Sequence, residues 1–566
     1  MDYQQAAAIN VSMLTFSVSM LLYNNSYIDP YVVLTNLILI ITSGFLLFIK
    51  IPARNSWALV DLEFFVSILE MFFFHGDLFP LSYYVVALMA LFLTALYVVS
   101  RAYEKTPEFS LIYGILFSFL MSSFARLGTD EEMIDYYSAH VFLEGLNPYL
   151  PENTASVYSH FLFFNPVCFG TPFTTGGVVT TLSYPSLSFI VQVPSNIIHS
   201  NPNYVNFFFY LLTLVSLYLI LRKGGNPEIY PYFLFPTLIN LDYTLFPDGG
   251  VPDIIWVFFV ILSLQSEKIF WKGLFYGVAV SLKQVPLALL PFYLYYLRRE
   301  GYSIVKFVFY SVFVFVISNI YFIVRSPLSY FNDIISPETA NLLQVSDGIS
   351  QISVGNLFFL FRPFFDVSML IIFLGEFYLF VKYYEKFKEK WVGFPFFIFL
   401  FNYRSLWNYL MYWPFLFFAL KSTSTKKVNI GSKVPLRALA ILSVGIILLA
   451  TAFHYPFLQY ASSFEVQVLH IDQSKGYVKC MILNVSFSND PCKQGKIVPL
   501  FRILPYDGWK SVNGIMWKSN ASYLSLGQWE IVKLYPYFPT QEFEVQQFEV
   551  ETYYGQLQGY VLVNPE

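Results

Sequence analysis

Residues 1–455 are broken into apolar runs of about twenty residues, the length a helix needs to cross the hydrocarbon of a bilayer. Such runs leave few options. In lipid, every backbone N–H and C=O must be satisfied within the segment, and a helix does this. The clearest runs are Ala6–Tyr23, Tyr31–Lys50, Trp57–His75, Leu81–Ser100, Glu108–Ala125, Tyr204–Leu221, Ile229–Phe246, Pro252–Gln265, Ile304–Val324, Asp366–Lys382 and Leu439–Tyr455. Composition agrees: 56% of the chain is hydrophobic and 12% charged, against about 25% charged in a soluble protein. A net charge of −4 offers no basic face for nucleic acid. Three cysteines exclude a disulfide scaffold and a multi-cysteine metal site. Cys480 and Cys492 can pair only if their domain lies outside the cell.

Basic residues orient the spans. No Lys or Arg precedes Lys50, and Lys50, Arg54, Arg101 and Lys105 mark alternate loops, which places those loops in the cytoplasm. The N-terminus has no basic leader and reads as a retained first span, starting in the cytoplasm. Ser183–His199 reads as a re-entrant piece. Short helix pairs meet at Lys283 and near Asn402–Arg404. The threading gives roughly fifteen spans and leaves the C-terminus outside a multi-pass cell-membrane protein. Asp61, Glu63 and Glu70 fall inside the third span, where they are expected to face other helices or the span's ends.

One polar stretch interrupts this pattern, Arg126–Tyr149, RLGTDEEMIDYYSAHVFLEGLNPY. Thr129 answered by Glu132 is a capping box, so a helix starts there. Met133, Ile134, Tyr137, Val141 and Phe142 recur at helical spacing, with Glu131, Asp135 and Ser138 on another face. Gly145, Asn147 and Pro148 end it. The expectation is a short amphipathic helix lying near the membrane surface. An acid in its first turn is kept ionised by the helix dipole, as a general base requires.

This stretch, with its D-E pair, following tyrosine and L-x-G-L-N-P-Y, resembles the first outer loop of GT-C glycosyltransferases. SYPSLSFIVQVP (Ser183–Pro194), PDGGVPD (Pro247–Asp253), GVAVSLKQVPLALLPFYL (Gly277–Leu294) and NYRSLWNYLMYWPFLF (Asn402–Phe417) fit the same superfamily, in order, over about half the chain. The resemblance implies a GT-C-like helical bundle. It further implies a polyprenyl-phosphate-linked sugar donor, a glycan, lipid or protein acceptor, and inverting transfer with Asp130 as catalytic base. The superfamily's outer loop follows the first span, whereas here it follows the fifth.

Lys283 and Arg404, with Arg126, Arg325 and Arg362, are cations at outer helix ends, where they can hold a donor phosphate. Glu131, Tyr137 and Asp253 complete the expected substrate-binding set. Asp248 reads as part of a tight turn. A divalent ion such as Mg or Mn, held by Asp130 or Glu131 with His160, is a further option, though no paired ligand spacing supports it.

After Tyr455 the hydrophobic period changes to two. EVQVLHI, YVKCMILNVSF, WEIVKLYPYF, EFEVQQFEVE and YVLV read as strands. The tail therefore reads as an extracytoplasmic β-sandwich, and sequons at Asn484 and Asn520 fit that side. The expected organisation is a five-span module over residues 1–125, an outer catalytic loop over 126–202, the remaining helices over 203–455 and the β-domain over 456–566. Overall the chain is mostly α and polytopic. Two functions stay open at this point: a membrane glycosyltransferase, or a transporter or flippase of a lipid-linked glycan or other solute.

Overall fold

The computed structural model describes all residues except 24–26, 53–55, 74–82, 123–128, 162–165, 421–435, 507–513 and 566. Arg126 and most of the basic Lys421–Arg437 stretch lie outside the described residues, as do the side chains of residues 246–249 and with them Asp248.

The N-terminal part consists of α1 (Tyr3–Tyr23), α2 (Pro30–Leu46), α3 (Ser56–Phe73), α4 (Tyr83–Ala102) and α5 (Thr106–Ser122). Next comes α6 (Asp130–Leu143), followed by short helical turns and α7 (Asn203–Lys223). The later core holds α8 (Asp253–Gln265), α9 (Ile269–Leu282), α10 (Ile304–Arg325), α11 (Pro327–Thr339), α12 (Arg362–Lys382) and α13 (Leu436–His454). Six of the described helices are long and apolar enough to cross a membrane by themselves. Elsewhere an expected span is divided. Ile229–Phe246, for example, becomes Tyr230–Ile239 and Leu241–Gly249, breaking at Asn240.

One large core binds these helices, with fully buried Trp256, Trp391 and Trp413 and many stacked rings. Ring pairs such as Phe399–Trp413, with centroids 5.9 Å apart, add to the area term. Close approach is sometimes obligatory. A Cβ on Gly277 would lie 2.7 Å from the Ser311 carbonyl oxygen, so α9 and α10 touch through bare backbone. Asp61 and Glu63 of α3 face neighbouring helices. Glu63 accepts from Asn10 Nδ2 at 2.8 Å, and Asp61 pairs with Arg101 at 3.4 Å. Asn10 also donates to the Tyr232 carbonyl at 3.1 Å, so this hydrogen-bonded charge ties α1 and α3 to the later core.

The tail forms ten strands: β1 (Phe464–Ser474), β2 (Tyr477–Phe487), β3 (Lys496–Ile497), β4 (Leu500–Pro505), β5 (Ile515–Ser519), β6 (Leu524–Ser525), β7 (Trp529–Pro536), β8 (Phe543–Glu544), β9 (Phe548–Tyr554) and β10 (Leu557–Val563). The expected sandwich takes the form of a curled eight-stranded antiparallel sheet in the order β1-β2-β7-β5-β4-β9-β10, with β8 on β2, and a separate β3-β6 pair. Its ends meet where Ser463 N–H donates to the Gln558 carbonyl at 2.9 Å. Alternate residues of β2, Met481, Leu483, Val485 and Phe487, are buried in its core, which is what the period of two requires. Cys480 and Cys492 are free thiols and do not pair.

Candidate active site

Helix α6 begins as the capping box predicts, but only half of the box forms. Thr129 is extended (φ −127°, ψ 150°) and its side chain accepts from Glu132 N–H at 3.4 Å. The Glu132 side chain does not return to the cap. It accepts from Gln192 Nε2 at 2.6 Å and from Asn206 Nδ2 at 2.8 Å. Asp135 is likewise buried and accepts from Ser188 Oγ at 2.8 Å. The expected solvated face of an amphipathic surface helix is therefore packed, because amides from the following segment reach it first. Gly250 fits against the start of α6. Its φ is +94°, its carbonyl accepts the Thr129 hydroxyl, and a Cβ there would lie 3.0 Å from Glu132 Cβ.

With Glu132 and Asp135 committed to packing, Asp130 and Glu131 are left to line a cavity of about 330 Å³. Its other walls come from motif residues far apart in sequence: Ser183 and Tyr184, Lys283 and Gln284, and Asn402, Arg404 and Tyr409. Gln284 Nε2 donates to the carbonyls of Ser183 (2.8 Å) and Ile334 (2.9 Å), which ties two of these motifs to α11.

Lys283 sits in extended backbone (φ −152°, ψ 153°) between α9 and the next helical turn. Its Nζ is 2.7 Å from Glu131 Oε1 and 2.8 Å from Asp253 Oδ2, and it lies 4.9 Å from the centroid of Tyr184. Asp253 is saturated: Trp256 Nε1 donates to Oδ1 at 2.6 Å and Asn408 Nδ2 to Oδ2 at 2.7 Å. One cation therefore faces two carboxylates, and Lys283 is compensated by the protein itself.

Arg404 is less committed. Nη1 donates to the Leu343 carbonyl at 2.7 Å, and its backbone N–H donates to Asn402 Oδ1 at 2.8 Å. A guanidinium has five donors, and this one lines the cavity with Asp130. Asp130 Oδ2 accepts the Thr171 N–H at 2.7 Å. Burial raises its pKa, while the Thr171 bond and the Arg404 charge oppose the rise. Burial also raises Glu131, against the opposing charge of Lys283.

The structure thus brings Asp130, Glu131, Lys283 and Arg404 to one cavity. Asp253 lies beneath it, not among its lining residues, and touches Lys283. Tyr137 does not line it either. Its hydroxyl is 2.8 Å from Ser156 Oγ, and its ring lies 5.2 Å from that of His160. His160 also lies 5.0 Å from His140, ring to ring, and is not among the residues lining the cavity with Asp130 and Glu131. The pairing of His160 with either acid around a metal ion is therefore not formed. No group of three or more His, Cys, Asp or Glu side chains among the described residues is placed to hold a metal ion.

Sequence reading missed the main-chain role of Thr171, and missed Glu338 and the segment Asn341–Asp347. Glu338 lines the cavity from the C-terminal end of α11, a helix that also exposes Leu328, Phe331 and Ile335. That i, i+3, i+7 spacing was the available signal for a helix lying along an apolar boundary.

A helical membrane domain that encloses a charged cavity, followed by a β-domain, defines a polytopic membrane protein with a polar chamber. The model of glycosyltransferase family 87 matches residues 183–383. That family is of the GT-C type, so the resemblance carried by the motifs holds, and the match supports a membrane glycosyltransferase. The matched stretch includes Asp253 and Lys283, while Asp130 and Arg404 lie outside it. No curated protein and no solved structure matches the chain.

Proposed function

We propose that the protein transfers a sugar from a polyprenyl (dolichyl) phosphate donor to a lipid-linked, glycan or protein acceptor on the outer face of the membrane, with Asp130 as general base. The observation that carries this reading is the meeting of an acid and a cation in one cavity: Asp130, whose half-buried carboxyl is aimed by the Thr171 N–H, and Arg404, whose guanidinium keeps donors for a ligand.

The steps follow from these two groups. Asp130 takes the proton of an acceptor hydroxyl. The oxygen attacks the anomeric carbon from the face opposite the phosphate, the glycosidic C–O bond to phosphate breaks, and polyprenyl phosphate leaves. Arg404 stabilises the charge that grows on the leaving phosphate. Lys283 holds Glu131 and, through Asp253, the start of α8 in register, and sets the potential of the chamber. This differs from direct phosphate contact by Lys283, because both its ion-pair partners belong to the protein. Tyr184 and Tyr409 line the chamber beside Lys283, whose ammonium lies 4.9 Å and 5.5 Å from their ring centroids.

The test uses purified protein in lipid, a panel of polyprenyl-phosphate sugars and membrane-extracted acceptors, beside Asp130→Asn. Release of free polyprenyl phosphate by wild type alone is the expected result. Transfer by Asp130→Asn at the wild-type rate would overturn the assignment. The transporter reading gains no comparable support, since the uncommitted charges gather in one chamber beside the β-domain.

A further inference from the structure

The wall of the chamber behind Arg404 is a strap, Asn341–Asp347, whose backbone is pinned from several sides. Thr174 N–H donates to the Asn341 carbonyl at 2.8 Å and Leu343 N–H to the Pro172 carbonyl at 2.9 Å, so the strap pairs with the Pro172–Thr174 segment. The two paired segments carry both groups that aim the charged residues. Thr171, next to the first segment, supplies the N–H on Asp130, and Leu343 supplies the carbonyl on Arg404. Asp347 N–H donates to the Ser405 carbonyl at 2.6 Å, directly after Arg404.

The outer side of this pair is held by the C-terminal domain. Arg502 of β4 donates from Nη1 to the Gln344 carbonyl at 2.7 Å. Gly555, in the β9–β10 turn, donates its N–H to the Thr174 carbonyl at 2.9 Å. Arg502 is itself fixed by Glu551 of β9, and the two side chains are 1% and 0% exposed. A buried ion pair like this is weak evidence for stability, because desolvation offsets its Coulomb gain. Its geometry suits another purpose. It aims a rigid guanidinium out of the sheet at the residue next to Leu343.

We propose that the β-domain is a working part of the catalytic centre, and that Arg502 is a positioning residue for Arg404. The relay runs Glu551 to Arg502, Arg502 to the Gln344 carbonyl, and from the adjoining Leu343 carbonyl to Arg404. This rests on the reading of Arg404 as the ligand of the donor phosphate. Without the pin, the strap shifts outward, the Leu343 carbonyl releases Nη1, and the guanidinium no longer holds one orientation toward the phosphate.

The test measures binding of undecaprenyl phosphate to the full chain in nanodiscs for wild type, Arg502→Lys, Arg404→Ala and the double variant, with KM and kcat for transfer and the thermal midpoint of each. Arg502→Lys keeps a cation opposite Glu551 but loses the planar fork that reaches Gln344. Expected is binding about tenfold weaker, the scale of one charge-assisted hydrogen bond, with a matching rise in KM and an unchanged midpoint. In the Arg404→Ala background the same change should cost nothing further, since coupled residues are not additive. Wild-type binding by Arg502→Lys, or an equal loss in both backgrounds, would overturn the proposal while leaving Arg404 as the phosphate ligand. Wild-type binding by Arg404→Ala would instead overturn the phosphate reading, and the relay with it. If Arg502→Lys does not fold, Glu551→Gln keeps Arg502 and an acceptor for it, and the same loss in binding is expected.

Discussion

The Lys283 ammonium lies 2.7 Å from Glu131 Oε1, joining the first turn of α6 to the end of α9 across 152 residues of chain. It shares that proton-rich end with Asp253, 2.8 Å away. The three groups are unequal under mutation. Lys283→Met leaves two buried carboxylates facing each other with no cation, and breaking a buried pair in this way costs about 3–5 kcal/mol. Glu131→Gln leaves Lys283 with Asp253 and an amide oxygen. Thermal midpoints in lipid should therefore fall steeply for Lys283→Met and little for Glu131→Gln. Equal falls would show that Asp253 does not hold Lys283 on its own.

Asp130→Asn is nearly isosteric, and its amide oxygen can still accept the Thr171 N–H. The fold should survive, with an unchanged thermal midpoint. The proton acceptor is gone, and general base catalysis is worth about 10²–10⁴-fold. Transfer should drop by that factor while donor binding stays near wild type. Loss of binding with activity retained per bound donor would mark Asp130 as a donor ligand instead.

Much of this centre is written in the chain. Lys283 and Arg404 stand out because charge is costly in apolar segments, and Asp130 because it opens the one polar stretch, which resembles the GT-C outer loop. Tyr137 lies away from the cavity for a geometric reason. It shares a helical face with Asp130 but stands seven residues further on, about 10 Å along the axis, which carries it past the cavity to Ser156. Asp253 reads as a ligand because acids in a glycine-rich loop do. Its two oxygens instead fall to Trp256 and Asn408. Glu132 was read as a local cap, and tertiary amides outcompeted the cap. Thr171 acts through its main-chain N–H, which has no sequence signature. The Arg502 pin joins residues 158 positions apart, beyond the reach of any periodicity. The β-domain is legible as strands but not as a support of the strap, since nothing in a period of two says what a strand end or turn touches.

The pH dependence follows from the surroundings of Asp130. Burial raises its pKa above the ordinary 3.8, and Arg404 and the Thr171 bond hold the rise down. The base must be ionised to work, so transfer is full above the folded-state pKa and is lost as pH falls through it. The acid limb of kcat/KM should lie above the ordinary aspartate value. Arg404→Met removes an opposing cation and should move the residual limb further up. A limb that moves down, or does not move, would mean that Arg404 does not act on Asp130.

Gly348 tests the strap from its other end. A Cβ there would lie 2.5 Å from the Leu400 carbonyl oxygen and 2.7 Å from Ser405 Cβ. The first of these is backbone and cannot rotate away, so Gly348→Ala must push the strap from the Leu400–Ser405 segment. Two bonds run across that seam, Asp347 N–H to the Ser405 carbonyl at 2.6 Å and Ile349 N–H to the Leu400 carbonyl at 2.9 Å. Overpacking of this kind costs about 1–3 kcal/mol, and its displacement falls on Arg404, one residue before Ser405. Expected are a lower thermal midpoint and a rise in donor KM larger than any fall in kcat. Gly445, within α13, has nothing within 4 Å of a built Cβ. Gly445→Ala should leave KM unchanged and stabilise by about 0.5–1 kcal/mol through helix propensity. If both substitutions leave donor KM at the wild-type value, the seam beside Ser405 does not set the position of Arg404.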